Sequence, residues 1–259
     1  MEAKHHLGIK SFKFDAGESS WYDGHTLFNA TFTRRVPNHI TTEYVKAAAR
    51  LGNAVEVRSG FKSQDQAVFV RMFDRNSNWS FEGGLRSLIT TALTLSLAGY
   101  SYILPDMVGG NDRPSEELYI RWLQATTFLP AMQFSVPPWS FSNNTEKIVN
   151  LTRHFIDLHA EHAPTIVALA KEVSYGHPII RPMWFAEPEN LTTYTIDDQF
   201  MLGAEIVVAP VLVEGQRERS VYLPPGAWSD QAGKQYSGPG LFKVLAPLEV
   251  LPYFKKVHH

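Results

Sequence analysis

Asp15, Asp74 and Asp106 each end an apolar run and open a loop. Asp15 closes Ile9–Phe14 and leads into Ala16, Gly17 and Glu18, Asp74 closes VFVRMF, and Asp106 closes YSYILP. Two carboxylates at strand tips suit glycoside hydrolysis, in which one attacks the anomeric carbon and the other protonates the oxygen that leaves. The tasks need different surroundings, because the attacker must be ionised and the donor must hold its proton near neutral pH. Asp15 suits the first. Asp74, after an apolar run and close to Trp79, has a setting that desolvates a carboxyl and suits the second. Arg58, at the end of VEVR, is a fixed cation able to keep Asp15 charged or to bind sugar hydroxyls. Trp21, Trp79 and Trp139 fall in loops at the same end, where sugar faces stack. An ordinary turn aspartate at a strand end is the competing reading of Asp15, and Glu18 is as well suited to bonding the backbone as to bonding a sugar.

The elements that must position these groups alternate. Strands are expected at Ile9–Phe14, Val55–Ser59, Val68–Phe73, Tyr100–Leu104 and Ala131–Phe134, and helices at Thr41–Leu51, Trp79–Ala98 and Ser115–Phe128. Ser115 is the expected N-cap of the third helix, with Glu116 and Glu117 in its first turn. A further helix at Asn144–Leu169 is expected to break or kink near Pro164. Alternation implies parallel βα units, and the three aspartates are spaced like strands n, n+2 and n+3 of a barrel with about 31 residues per unit. No GxGxxG supports a doubly wound sheet instead. The connection from Arg58 to Asp74 is too short for a full helix. After about Asn190, strands at Tyr194–Val213 and Ser220–Leu223 alternate with turns at Pro224-Pro225-Gly226, Gly233 and Gly238-Pro239-Gly240, which points to a small β-domain.

Composition excludes several classes. The 259 residues are 44% hydrophobic and 19% charged, as in a globular protein. A net charge of -2 offers no basic face, so no nucleic-acid partner is expected. Cys is absent, which removes thiol catalysis, thiolate metal sites and disulfides. The uncharged run from Ser87 to Pro105 is divided by Gly99 and diluted by Ser and Thr. It reads as a buried helix feeding a buried strand, with no membrane contact from this segment. Five Asn-x-Ser/Thr triplets (Asn29, Asn78, Asn143, Asn150, Asn190) tilt towards the secretory pathway, although Asn78 stands too near the proposed site to suit a glycan. No signal peptide is visible after Met1. Asp74-Arg-Asn76-Ser-Asn78 starts like a calcium loop, but Trp79 and Leu85 stand where glycine and glutamate are required. His154, His159 and His162 have poor ligand spacing, and no metal is expected. Trp184, Trp228, Arg121 and Trp122 read as packing residues.

The stretches FKFDAGE (12–18), VRSGF (57–61), VRMFD (70–74), ILPDMVGGN (103–111), EELYIRWLQATTFLPAMQFSVPPW (116–139), QFMLGAEIVVAPVL (199–212) and GQRERSVYLPPGAW (215–228) resemble the C-terminal half of glycoside hydrolase family 31 enzymes, and within them the myogenesis-regulating glycosidase branch. The resemblance implies an α/β fold: a partial (β/α)8 TIM barrel from about the fourth strand onward, over residues 1–189, followed by a small β-sandwich over 190–259. It implies retaining hydrolysis of α-linked sugars without cofactor or metal, with Asp15 as nucleophile and Asp74 as acid/base. Arg58 and Asp106 match its substrate-binding positions.

Departures from the family pattern bear on the sugar. Ala16 replaces a Met, Arg71 a Trp, and Gly110 a Phe of the α-glucosidases, and their Arg-x-His reads Gln133-Phe134-Ser135. These changes do not suit glucose, and the resemblance to the myogenesis-regulating glycosidase branch implies a carbohydrate substrate of the α-galactoside type. The alternatives are an α-glucosidase, or a non-catalytic carbohydrate-binding relative. With the nucleophile so near residue 1, the chain is expected to be a fragment that alone folds poorly or hydrolyses little.

Overall fold

The computed structural model describes residues 8–21, 38–52 and 54–258. The chain forms two compact units, Met1–Phe73 with Tyr102–Leu104, and Asp74–Ser101 with Pro105–His259.

The first unit is built on four short parallel strands: β1 (Phe12–Phe14), β2 (Val55–Val57), β3 (Phe69–Arg71) and β4 (Ile103–Leu104). They pair in chain order, Phe12 with Val55, Glu56 with Phe69 and Val70 with Ile103. Sequential parallel pairing is the order of a (β/α)8 barrel, in agreement with the expected partial barrel. Val55, Val57, Val70 and Ile103 are buried, and burial of this kind selects β-branched residues. Each strand is shorter than its apolar run. Helix α1 (His39–Ala49) joins β1 to β2 and buries Thr41, Val45 and Ala48 along one face. Its C-terminus closes with the amides of Leu51 and Gly52 on the carbonyls of Ala48 and Ala49. Gly52 takes a φ of 120°, which favours glycine. Turns and bends alone link β2 to β3, as the short spacing requires.

The second unit contains α2 (Leu88–Leu97), α3 (Glu116–Thr126) and α4 (Thr145–Ala170). The expected helix from Trp79 begins late. Asn78 Oδ1 accepts the amide and hydroxyl of Ser80, and a Cβ on Gly84 would lie 2.2 Å from Asn78 Oδ1. These local bonds hold a turn where the apolar pattern alone favours helix. α3 starts as its sequence predicts: the Ser115 hydroxyl accepts the Leu118 amide at 3.2 Å, with Glu116 and Glu117 in the first turn. From Leu118 to Thr126 every residue of α3 is buried, so the helix is enclosed on all sides. α4 runs through Pro164 without a break. Its buried stripe of Ile148, Leu151, Phe155, Leu158, His162 and Ile166 continues on both sides of the proline, and that packing offsets the lost backbone bond. The expected strand at Ala131–Phe134 is reduced to one parallel bridge between Val108 and Phe134.

The small β-domain rests on a six-stranded antiparallel sheet in the order β5-β6-β7-β10-β8-β9. Its strands are β5 (Ile180–Arg181), β6 (Phe200–Leu202), β7 (Ile206–Val208), β8 (Glu218–Asp230), β9 (Gln235–Leu245) and β10 (Tyr253–Val257). The sheet thus recruits residues that precede position 190. Only Gly233, of the three expected turns, makes a hairpin turn: Asp230 Oδ1 accepts the amides of Ala232 and Lys234 at 2.9 Å. Pro224-Pro225-Gly226 is a register shift inside β8, between Leu223 and Gly226, and Gly238-Pro239-Gly240 lies within β9. Prolines lack the ladder donor, and a bulge or an edge strand accommodates them without ending the strand. Trp228 is 1% exposed and its indole N–H donates to the Pro224 carbonyl across the bulge at 2.8 Å. Among the described residues no helix is long and apolar enough to cross a membrane.

Candidate active site

In the first unit, Asp15 lies at the C-terminal tip of β1 with its side chain 60% exposed. Its Oδ1 accepts three donors: the Ala16 amide at 3.0 Å, Arg58 Nη1 at 3.3 Å and Arg71 Nη2 at 3.2 Å. The Ala16 N–H holds the carboxyl below the usual aspartate value of 3.8; partial desolvation opposes it, and Arg58 and Arg71 reinforce it. The result is an accessible carboxylate ionised at neutral pH.

The turn beneath it is built from strained backbone. Ala16 has a φ of 60°, uncommon for a residue with a side chain, and Gly17 has a φ of 91°. A Cβ on Gly17 would meet the Tyr44 ring at 2.5 Å and Ser59 Oγ at 2.7 Å, so position 17 admits glycine alone. The carbonyls of this turn are taken up by α1 and by the end of β2. Tyr44 donates its hydroxyl to the Asp15 carbonyl, Thr41 donates to Gly17 at 2.8 Å, and Ser59 donates to Ala16 at 3.1 Å. Three side chains therefore fix the backbone that aims Asp15.

The charges around Asp15 form a chain. Glu18 Oε1 is 3.0 Å from Arg58 Nε, and Trp21 donates its indole N–H to Glu18 Oε2 at 2.7 Å. Arg58 also lies 5.6 Å over the ring of Phe73, a cation–π contact. On the other side, Arg71 is 3% exposed and reaches Glu56 Oε1 with its Nε at 3.2 Å. The structure thus gathers Asp15, Arg58, Glu18 and Trp21 as their spacing predicts. It adds Glu56, Tyr44, Ser59 and Thr41, which sequence reasoning did not assign to the site, and it gives Arg71, noted from the sequence only as a departure that bears on the sugar, a direct contact with Asp15. The inward position of Arg71 within β3 was the available signal, since a charged residue in a buried strand needs partners.

In the second unit, Asp74 is exposed, in contrast to the burial expected from its apolar run, and Trp79 is half-buried. The loop after Asp74 is laced by Arg75, a residue the sequence left unassigned. Its guanidinium donates to the Gly84 carbonyl (2.8 Å), Ser87 Oγ (3.0 Å) and Thr91 Oγ1 (2.6 Å). Burial lowers the Arg75 pKa, and the charge of Asp106 opposes that effect. Asp106 is 0% exposed, and its Oδ2 accepts the Arg75 amide at 2.6 Å. This bond ties Asp106, expected from the sequence to contact sugar, to the loop that starts at Asp74. Gly110 has a φ of 84° and a Cβ there would lie 2.8 Å from the Ser77 amide, so close packing of the 75–77 loop accounts for this glycine. Gln133 is half-buried; its carbonyl accepts the Val108 amide at 2.9 Å, and its Nε2 is buried without a protein acceptor among the described residues. Trp139 is 71% exposed.

Other groups take packing or surface roles. Trp122 is fully buried, and Trp184 stacks on Tyr194 with centroids 5.9 Å apart. His162 packs against Phe128, and His159 bonds the Thr127 carbonyl. Among the described residues no cluster of three His, Asp or Glu is placed to hold a metal ion. Of the glycan triplets, Asn29 lies outside the described residues, Asn143 and Asn150 are exposed, and the Asn190 amide is bonded to the Tyr222 hydroxyl at 2.9 Å.

Comparison with known proteins identifies the family. Residues 1–169 match the family model "Glycosyl hydrolases family 31 TIM-barrel domain", and residues 176–259 match "Glycosyl hydrolase family 31 C-terminal domain". The chain is 40% identical over 242 residues to the myogenesis-regulating glycosidase of Mus musculus, covering 88% of this chain and 33% of that protein. It is 38% identical over 232 residues to the SITS-binding protein of Tetronarce californica, covering 86% and 33%. Among solved structures it is similar to the cycloalternan-degrading enzyme from Trueperella pyogenes in complex with isomaltose, with a TM-score of 0.88 and 26% identity over 99% of this chain and 39% of that one. The chain therefore spans about a third of the length of the curated relatives it matches. A parallel sheet in chain order, an antiparallel C-terminal domain and two matching family models agree: this chain belongs to glycosyl hydrolase family 31.

Proposed function

We propose that this chain carries the reactive carboxylates of a retaining α-glycosidase that acts on α-galactosides, as part of a longer polypeptide of the secretory pathway. Asp15 is the nucleophile and Asp74 the acid/base. The observation that carries the reading is the Asp15 carboxylate, exposed at a strand tip and held ionised by a backbone amide and two guanidiniums. In the first step an Asp15 oxygen bonds the anomeric carbon as the glycosidic bond breaks, and the released oxygen takes a proton from Asp74. In the second step Asp74 removes a proton from water, which attacks the same carbon and frees Asp15. The anomeric configuration is retained after two inversions. Arg58, Glu18 and Trp21 stand with Asp15 in the first unit, Trp79 and Gln133 of the second unit offer a ring and an amide donor for sugar, and no cofactor is required.

The galactose preference rests on the resemblance to the myogenesis-regulating glycosidase branch, and the departures at Ala16, Arg71, Gly110 and Gln133 argue against a glucose-type site. A buried cation replaces the indole of the α-glucosidases at position 71, so the site differs in charge as well as in shape. A glucosyl preference is the second reading, favoured by the isomaltose bound to the Trueperella enzyme. Assay of the full-length protein on aryl α-galactoside and aryl α-glucoside is expected to give at least about tenfold higher kcat/KM for the galactoside, a difference of about 1.4 kcal/mol. NMR of the fresh product is expected to show the α-anomer first. Preference for the glucoside overturns the sugar assignment, and first release of the β-anomer overturns the mechanism. For the location, removal of N-linked sugars is expected to shift the mass of peptides containing the exposed Asn143 and Asn150 and to leave the engaged Asn190 unchanged. Absence of any shift counts against secretion.

A further inference from the structure

The donors to Asp15 are not shared between its oxygens. The Ala16 amide and the two guanidiniums all reach Oδ1, and none of them reaches Oδ2. The two arginines differ in kind. Arg58, over the ring of Phe73, keeps 19% of its side chain exposed, whereas Arg71 keeps 3%. Arg71 is also fixed at a second point, by Glu56. A planar guanidinium held at both ends has little rotational freedom, so it dictates the plane of the carboxylate it grips. Burying such a cation is costly unless carboxylates accompany it, and here Asp15 and Glu56 do so.

We propose that Arg71 is the positioning residue of the nucleophile: braced by Glu56, it pins Oδ1 of Asp15 and leaves Oδ2 as the oxygen that attacks. The inference rests on the reading of Asp15 as nucleophile. Oδ2 supplies the electron pair for the new bond to the anomeric carbon, the electrons of the broken glycosidic bond go to the released oxygen, and Oδ1 becomes the carbonyl of the ester with its donors already in place. Arg71 makes no sugar contact in this scheme. Among the described residues of its unit, the charged and titratable groups around Asp15 are Glu56 from β2, Arg58 just after it, Arg71 from β3, Tyr44 from α1 and Glu18 from its own loop. Each of the two glutamates is paired with one of the two arginines.

The test uses the full-length protein with Arg71→Met, Arg71→Lys and Glu56→Gln. Arg71→Met is expected to lower kcat on the order of tenfold to a hundredfold, as loss of a charged hydrogen bond does. KM stays within about threefold, since no sugar contact is lost, and the acidic limb of the pH profile moves upward. Arg71→Lys restores the limb, because the charge returns, but recovers kcat only in part, because an ammonium does not span both carboxylates. Glu56→Gln lowers kcat without raising the limb, and it keeps the test open should Arg71→Met fail to fold. A raised KM with unchanged kcat would make Arg71 a sugar-binding group and overturn the proposal, as would wild-type kinetics in Arg71→Met or in Glu56→Gln. Carbodiimide coupling of Asp15 at about pH 5, read by peptide mass spectrometry, needs no turnover. Coupling is expected to rise several-fold in Arg71→Met, because more of the carboxyl is protonated, and unchanged coupling overturns the proposal. If the wild-type protein hydrolyses no α-glycoside, the functional reading fails, and the coupling result still decides whether Arg71 governs Asp15.

Discussion

Asp15→Asn is expected to lower kcat by at least about a thousandfold, a loss of roughly 4 kcal/mol of transition-state stabilisation. The amide matches the carboxylate in shape but has no anionic oxygen to form the glycosyl ester. Folding should be little affected. The Asp15 side chain is 60% exposed, Arg58 keeps Glu18, and Arg71 keeps Glu56, so the stability change should stay within about 1 kcal/mol. Sugar affinity should survive, which separates an enzyme from a carbohydrate-binding relative with no turnover to lose. Azide added to Asp15→Gly should restore release of the aglycone and give a glycosyl azide of inverted configuration, because the small anion enters from the face that the carboxylate occupied. Retention of more than a few per cent of wild-type kcat in Asp15→Asn would remove Asp15 from the mechanism. The pH dependence follows from the same contacts. The Ala16 amide and the two arginines lower the Asp15 pKa below 3.8, so its charge supports folding above that value, and the support is lost as pH falls through the folded-state value.

Arg121→Ala is expected to destabilise the protein by about 3–5 kcal/mol, measured by urea unfolding. Arg121 sits within α3 with no exposed surface. Its Nη2 donates to the carbonyls of Ala246 (2.7 Å) and Gln216 (2.9 Å), and its Nη1 donates to Gln124 Oε1 (2.9 Å) and the Pro247 carbonyl (3.3 Å). One guanidinium thus ties the segment before β8 and the connection from β9 to β10 onto a single helix. Burial lowers its pKa to about 10, assisted by Arg217, while Glu117 and Glu249 oppose the shift, so it remains charged at neutral pH. Truncation leaves these acceptors buried without donors, and that loss is a large part of a stability of about 5–15 kcal/mol. Arg121→Lys should recover less than half, because one ammonium does not match a planar fork aimed at two segments. A loss below about 1 kcal/mol for Arg121→Ala would show that these carbonyls find other donors.

Local pattern made much of this legible. The Asp15 strand tip, the Ser115 cap and the turn-rich C-terminal β region follow from features within a few residues of one another, and the parallel order of β1 to β4 follows from the alternation of strands and helices along the chain. What sequence reasoning missed depends on partners far away in the chain. Arg71 enters the sequence reading only as a departure that bears on the sugar, and β3 brings it to Asp15; Asp106 reads as a strand-tip carboxylate, and the fold adds the Arg75 amide to its Oδ2. Trp79–Ala98 has a helical pattern, but side-chain bonds at Asn78 and close packing at Gly84 decide the start. Pro224-Pro225-Gly226 has turn composition, and the long partner strand with the buried Trp228 keeps it inside β8.

The grouping of three donors on one oxygen of Asp15 also bears on how the covalent sugar ester ends. Donors that stabilise a carboxylate anion make it a weaker attacker and a better nucleofuge. When water displaces Asp15 from the anomeric carbon, the charge returning to the carboxylate meets an amide and two cations already in position. In the proposed reaction, the site is therefore biased towards rapid discharge of the ester, and formation of the ester sets the pace.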